Sequence, residues 1–209
     1  MKINEIFYSI QGEGINVGLP TIFIRFSGCN LKCSYCDTKY AWYEGKEMDI
    51  EKVMKSIEKW RCKRICITGG EPLLQKEVYD LIDFLLRKGY KVSVETNGSV
   101  DISKLAERNV VIKMDIKCPS SMMHDKMKMD NIGKLRLHDE IKFIIGNRED
   151  YEYAKEIINK YKPRSHIIMQ PVWKKMKASK LASWILEDEM DVMLSIQLHK
   201  ILWKGKRRR

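Results

Sequence analysis

No run of about eighteen apolar residues occurs anywhere in the chain, which excludes a helix that spans a membrane. The opening MKINEIFYSIQGEG has no basic start, apolar core and small-residue cleavage site, so no secretory signal is read there and a cytoplasmic location is expected. Internal repeats and low-complexity linkers are also absent. The 209 residues are 44% hydrophobic and 32% charged, as in soluble globular proteins, and suffice for a core within one domain covering 1–209. A net charge of +11 raises the possibility of a nucleic-acid partner. Yet the basic residues are interspersed with Glu and Asp, and only the tail KGKRRR (204–209) is a block, of the kind expected as a flexible end. Nucleic-acid binding is therefore not the expected main function.

Short apolar runs alternate with helical spacing along most of the chain. Strands are predicted at Thr21 to Phe26, Ile65 to Thr68, Lys91 to Glu95, Val110 to Asp115, Glu140 to Ile145 and His166 to Gln170. Helices are predicted where Ile50, Val53, Met54, Ile57 and Trp60 recur, and again at Val78 to Leu85 and Tyr151 to Tyr161, with a last helix around Leu181, Trp184 and Ile185. Such alternation implies right-handed crossovers and a parallel sheet. The chain is short for a closed eight-fold barrel of about 250 residues, so an α/β fold with a partial, open parallel barrel is expected. Residues 118–138 show no clean period and are expected to form an irregular insertion or lid.

The cysteines are Cys29, Cys33, Cys36, Cys62, Cys66 and Cys118. In a reducing cytosol, such a set points to metal binding or chemistry before disulfides. Only the first three make a compact triplet, Cys-x3-Cys-x2-Cys, whereas a closed structural zinc site needs four ligands, usually as two pairs. Three thiolates on a [4Fe–4S] cube hold three irons and leave the fourth open to a substrate. Cys62, Cys66 and Cys118 are read as small buried hydrophobes. Further polar motifs follow strands: Gly69-Gly70-Glu71-Pro72, Glu95-Thr96-Asn97-Gly98, Asp115-Ile116-Lys117-Cys118-Pro119 and Gln170-Pro171. Strand C-terminal ends are where barrel enzymes assemble their sites, although the same dipeptides also serve as ordinary turn punctuation.

The cysteine triplet followed by Gly-Gly-Glu-Pro resembles the radical S-adenosylmethionine superfamily. With YSIQGEG (8–14), TIFIRFSGCNLKCSYCDT (21–38), ITGGEP, VETNG, DEIKFII and QLHKILW, the likeness extends over nearly the whole chain to the 7-carboxy-7-deazaguanine synthase family. It implies a [4Fe–4S] cluster on Cys29, Cys33 and Cys36, and S-adenosylmethionine held by Tyr35, Asp37, Gly70, Glu71, Asn97, Asp115, Ile116, Lys117, Gln170 and Trp173. Glu71 would accept from the methionyl ammonium. It also implies a pterin substrate against Ile10, Gln11, Gly12, Glu13, Arg25, Thr68 and His199, with Gln197 and His199 closing the pocket from a last strand. Mg2+ on Thr38 is implied beside the substrate carboxylate, a hard-oxygen set suited to that ion; by residue type alone Thr38 is more often a helix N-cap or turn residue. The implied reaction turns 6-carboxy-5,6,7,8-tetrahydropterin into 7-carboxy-7-deazaguanine and ammonia, toward queuosine or archaeosine, with an unidentified electron donor and a homodimeric enzyme. Other readings are a related activating enzyme, such as a glycyl-radical activase, and a metal-bearing RNA-binding protein.

Overall fold

The computed structural model describes residues 1–204, 206 and 207. Its strands are β1 (Lys2–Ile10), β2 (Pro20–Phe26), β3 (Lys46–Glu47), β4 (Arg64–Gly69), β5 (Lys91–Thr96), β6 (Val111–Ile116), β7 (Glu140–Ile145), β8 (His166–Pro171) and β9 (Met193–Leu194). The helices are α1 (Ile50–Ile57), α2 (Glu77–Arg87), α3 (Ser103–Ala106), α4 (Arg148–Tyr161), α5 (Ala178–Glu187) and α6 (Leu198–Trp203). Among the described residues the strands form one sheet ordered β3-β1-β2-β4-β5-β6-β7-β8-β9, parallel from β2 onward and antiparallel at β3-β1-β2. The two edges do not pair, so the barrel is open, as the chain length implied. No helix of the described residues is long and apolar enough to cross a membrane.

Each parallel strand has two unlike faces because side chains alternate. Ile22, Ile24 and Phe26 of β2, Ile65 and Ile67 of β4, and Val92 and Val94 of β5 are buried against the helices. They meet Val53 and Ile57 of α1 and Leu81, Ile82 and Leu85 of α2 in one contiguous core. The alternate positions carry Arg25, Thr68, Glu95, Asp115, Lys142 and Gln170, which face a cavity on the opposite side of the sheet. Local sequence bounds the helices. Asp49 caps α1 through a bond from the Lys52 N–H, Asn147 caps α4 through Asp150, and Gly89 follows α2 at φ 76° with its N–H on Leu86 O.

The sequence reading misplaced three features. β1 was not predicted: its pairing with β2 slips between Ile3 and Glu5, a bulge that breaks the alternation, and Glu5 occupies a buried position. α1 stops at Ile57, so Trp60 lies beyond it and meets the Tyr8 ring at 5.7 Å instead. α5 is not the last helix, and Gln197 and His199 belong to the start of α6, not to a strand.

Residues 118–138 form three 3₁₀ turns, Pro119–Ser121, His124–Lys126 and Met129–Lys134, between β6 and β7. Asn131, Ile132 and Leu135 are buried there. Asn131 Nδ2 donates to Gly98 O at 3.1 Å and Val100 O at 2.8 Å, and its Oδ1 accepts from Ile102 N at 3.3 Å. In the basic tail, Arg207 donates to Glu5, Asn4 and Glu44 and stacks over Tyr40 at 3.9 Å; Gly205, Arg208 and Arg209 lie outside the described residues. Asn131→Ala takes the partner from the Ile102 N–H and the Val100 carbonyl, while Gly98 O keeps the Lys128 N–H, and is expected to cost roughly 1–3 kcal/mol, read as a lowered urea midpoint at unchanged m-value.

Candidate active site

The cavity, about 600 Å3, opens at the C-terminal ends of the parallel strands. That volume suits a cofactor and a small substrate together. Its wall includes Cys29, Cys33 and Cys36, in the loop that leaves β2. Backbone alone sets that loop against the Gly69-Gly70 turn. Glu71 N–H donates to Gly28 O at 2.8 Å and Gly70 N–H to Phe26 O at 3.2 Å. A Cβ on Gly70 would fall on the Gly28 carbonyl and lie 2.8 Å from Cys29 Cβ, and Gly69 sits at φ 151° over Phe26. Only glycine fits either place. The far side of the loop is tied down by Ser34, whose hydroxyl donates to Ser120 O at 2.6 Å and whose N–H donates to Ser121 O.

The three thiols are half-buried and free. Burial pushes the Cys29 and Cys33 thiols up, so thiolates there call for a compensating positive charge such as cluster iron. Cys66 and Cys118 are buried, in keeping with their reading as small buried hydrophobes, whereas Cys62 is only half-buried and its thiol donates to Pro20 O at 3.3 Å. The wall also holds two buried polar atoms without a partner among the described residues, Tyr35 Oη and Gln170 Oε1. Buried polar groups are ordinarily hydrogen-bonded, so these two mark where a polar ligand would complete the protein. Thiol triplet, glycine cradle and orphaned acceptors together suit a [4Fe–4S] cluster carrying S-adenosylmethionine.

Most residues singled out from sequence meet at this cavity: Ile10, Gln11, Gly12 and Glu13 from the turn after β1, Arg25 and Thr68 from strand ends, and Tyr35, Asp37 and Thr38 from the cysteine loop. Gly70, Asn97, Asp115, Lys117, Gln170, Trp173, Gln197 and His199 complete the set. Two do not reach it. The Ile116 side chain packs into the helix-side core by strand alternation, and only its backbone remains for a ligand. Glu71 is fully buried, and its carboxylate already accepts from Leu73 N, Thr96 Oγ1 and Asn97 N at 2.6–3.1 Å. It organises the turns around the site and is not aimed at the cavity as an ammonium acceptor.

The polar residues are interlocked. Arg25 gives its Nε–H to Glu5 Oε1 at 2.9 Å, its one hydrogen bond among the described residues, which fixes the guanidinium plane at the cavity wall. Thr68 Oγ1 donates to Glu95 Oε2 at 2.7 Å. Thr38 stands at the N-cap position of a 3₁₀ turn yet makes no capping bond; its hydroxyl lies 3.7 Å from Cys36 Sγ. The neighbouring Asp37 pairs with Lys200 Nζ at 2.6 Å. At the opposite wall, Lys142 Nζ lies 2.7 Å from Glu13 Oε2 and 3.1 Å from Asp115 Oδ1, while Lys117 holds Asp115 Oδ2 at 2.9 Å. Gln197 Nε2 donates to Glu13 Oε1 at 2.7 Å, and Leu198 N–H to Gly12 O at 3.0 Å. A Cβ on Gly12 would strike the His199 ring, so this glycine admits the histidine. Burial opposes charge on Glu13, but Lys142, His199 and the hydrogen bonds of Lys142 and Gln197 outweigh it and hold the carboxyl well below the usual range. Burial likewise opposes an ionised Asp115, and Lys117 and Lys142 overcome it.

Sequence reading named Glu95 only within a strand-end motif and passed over Lys142 and Lys200 as cavity residues. For the two strand residues alternation was the available signal: Glu95 is two positions from Ser93 and Lys142 two from Glu140, all on polar inner faces, whereas Lys200 lies in α6 and had none.

Burial, partly offset by the bonds from Asn97, Leu73 and Thr96, pushes the Glu71 carboxyl from 4.5 up to about 7. A carboxyl raised on folding binds its proton more tightly in the folded state, so its contribution is full below pH 4.5 and lost as pH rises through 7. Glu71→Gln is expected to remove about 3 kcal/mol of this decline between about pH 5 and 8, read as a flatter profile of urea midpoints than the parent chain shows.

Residues 23–169 match the Radical SAM superfamily. A 7-carboxy-7-deazaguanine synthase from Methanospirillum hungatei is 40% identical over 97% of this chain and 85% of its own length. One from Koribacter versatilis is 36% identical over 97% of both chains. The crystal structure of QueE from Escherichia coli superposes with a TM-score of 0.78 at 25% identity, covering 95% of this chain and 94% of that one. These likenesses favour the synthase reading over a glycyl-radical activase or an RNA-binding protein. On sequence, sheet topology and the cradle around its three cysteines, the chain belongs to the 7-carboxy-7-deazaguanine synthase family of the radical SAM superfamily.

Proposed function

We propose that this chain converts 6-carboxy-5,6,7,8-tetrahydropterin to 7-carboxy-7-deazaguanine with release of ammonia. The observation that carries this reading is the meeting, in one cavity, of the cysteine triplet with the Gln11-Gly12-Glu13 turn and Arg25. Loss of ammonia accounts for the whole difference between substrate and product, so no net oxidation is required and the radical is returned at the end of each turnover. The cluster and S-adenosylmethionine, when bound, supply a 5′-deoxyadenosyl radical, and the protein's task is to orient and shield.

The residues divide that task by charge. Arg25, its plane fixed by Glu5, offers a two-point contact to the substrate carboxylate. Glu13 keeps its charge in the protein interior and accepts from the N–H edge of the pterin. The uncapped Thr38 hydroxyl suits Mg2+ beside that carboxylate, with water and carboxylate oxygens completing a hard-oxygen set. Tyr35 Oη and Gln170 Oε1, unpaired among the described residues, stand ready for the polar groups of S-adenosylmethionine. Burial outweighs its charged neighbours and holds the His199 imidazole below its ordinary value, so at neutral pH the ring is uncharged over Gly12, where it helps keep water out. An external one-electron donor and a homodimer come with the family resemblance. A cytoplasmic setting is supported by six cysteines without a disulfide.

The test is anaerobic reconstitution with iron and sulfide, then incubation with S-adenosylmethionine, reductant, Mg2+ and carboxytetrahydropterin. Formation of 7-carboxy-7-deazaguanine and ammonia in equal amounts is expected. A reducible cluster that turns over no pterin would contradict the substrate assignment and leave the superfamily intact.

A further inference from the structure

We propose that Lys142 is the positioning residue of the substrate turn: clamped between Glu13 and Asp115, its ammonium fixes the Glu13 carboxylate as the acceptor for a two-point N–H edge. This rests on the reading of Glu13 as a pterin contact. The placement follows from β7, where Glu140, Lys142 and Ile144 alternate onto the inner face while Ile141, Phe143 and Ile145 fill the core. Lys142 is one-tenth exposed and reaches Glu13, 129 residues away, at 2.7 Å and Asp115 at 3.1 Å. A buried ammonium is costly unless paired, and both partners here are cavity carboxylates. Glu13 Oε2 is committed to Lys142 and Oε1 to Gln197, which sets the carboxylate plane and leaves one lone-pair direction on each oxygen. Two parallel acceptors are what an amino-pyrimidinone edge requires.

The two carboxylates do not depend on Lys142 equally. Asp115 has a second cation, Lys117, at 2.9 Å. Among the described residues Glu13 has only the neutral amide of Gln197 and the depressed imidazole of His199 from the α6 side. From β6, Lys113 reaches the Glu13 carbonyl at 3.5 Å but pairs its charge with Glu140. Asp115 faces Glu13 as a like charge, and Glu95 faces Lys142 from β5. Loss of the Lys142 charge therefore frees Glu13 to protonate and turn while Asp115 stays ionised.

The test is calorimetric titration of the anaerobically reconstituted holoenzyme, with S-adenosylmethionine bound, using the stable analogue pterin-6-carboxylate. K142M is expected to weaken pterin binding on the order of tenfold or more, with the affinity for S-adenosylmethionine changed less than about threefold. Binding to the parent enzyme should vary little with the ionisation of Glu13 between about pH 6 and 8. In K142M it should fall toward acid, because an unpaired buried carboxyl takes up a proton. K142R should recover part of the affinity, and E13Q/K142M should bind no worse than E13Q, since the two residues act as one unit. If K142M does not fold, K142R and the comparison of E13Q/K142M with E13Q decide the matter. Additive losses in the double variant, or equal losses for both ligands, would overturn the role of Lys142. E13Q with unimpaired pterin binding would instead overturn the reading of the substrate turn itself.

Discussion

Everything in this site hangs on one close approach of backbone to backbone, where the Gly69-Gly70 turn after β4 rests on Phe26 and Gly28 at the end of β2. Side chains at either glycine would push the two strand ends apart, and the cysteine loop would lose its seat. The contact is made by groups with almost no conformational freedom once the sheet is formed, so the loop inherits the rigidity of β2 and β4. Glu71 extends the same device. Its buried carboxylate gathers N–H groups from its own turn and from the end of β5, so three successive strand ends are held at a common level. Ser34 and the 3₁₀ turns after β6 close the arrangement from the other side.

The second constraint is the division of every inner strand into an oily face and a charged one. Helices cover the oily face and supply the burial that stabilises the fold. The other face would be prohibitive if its charges stood alone, yet Glu13, Lys142, Asp115 and Lys117 alternate in sign, and Lys113 meets Glu140. Such a network stabilises little on balance. What it contributes is orientation: a preorganised set of donors and acceptors around the cavity. α6 belongs to this functional layer, since Gln197, Leu198, His199 and Lys200 each touch the QGEG turn or the cysteine loop.

How much of this was legible in the sequence follows from the range of the interactions involved. Six parallel strands and the principal helices announce themselves because their apolar periodicity is local. The cysteine triplet and Gly-Gly-Glu-Pro are legible for the same reason: their spacing carries the chemistry. β1 was hidden by the bulge at Asn4 and by a buried glutamate whose partner, Arg25, lies twenty residues on. α6 has only six residues and too little amphipathic length to be recognised. Glu71 carries the right motif but spends its carboxylate on the protein, which depends on Thr96 and Asn97, about 25 residues away. Lys142 looked like one lysine among many because its meaning comes from Glu13 and Asp115, which only the folded sheet brings to it.

The central claim, that three thiolates hold a cluster whose fourth iron is open to S-adenosylmethionine, is tested most directly by electron paramagnetic resonance of the reconstituted, reduced chain with and without that cofactor. The result expected is a [4Fe–4S]+ signal that changes when S-adenosylmethionine is added, survives Cys118→Ser and is lost in Cys33→Ser. A signal indifferent to S-adenosylmethionine, or one abolished by Cys118→Ser, would mean a fourth protein ligand and would contradict it.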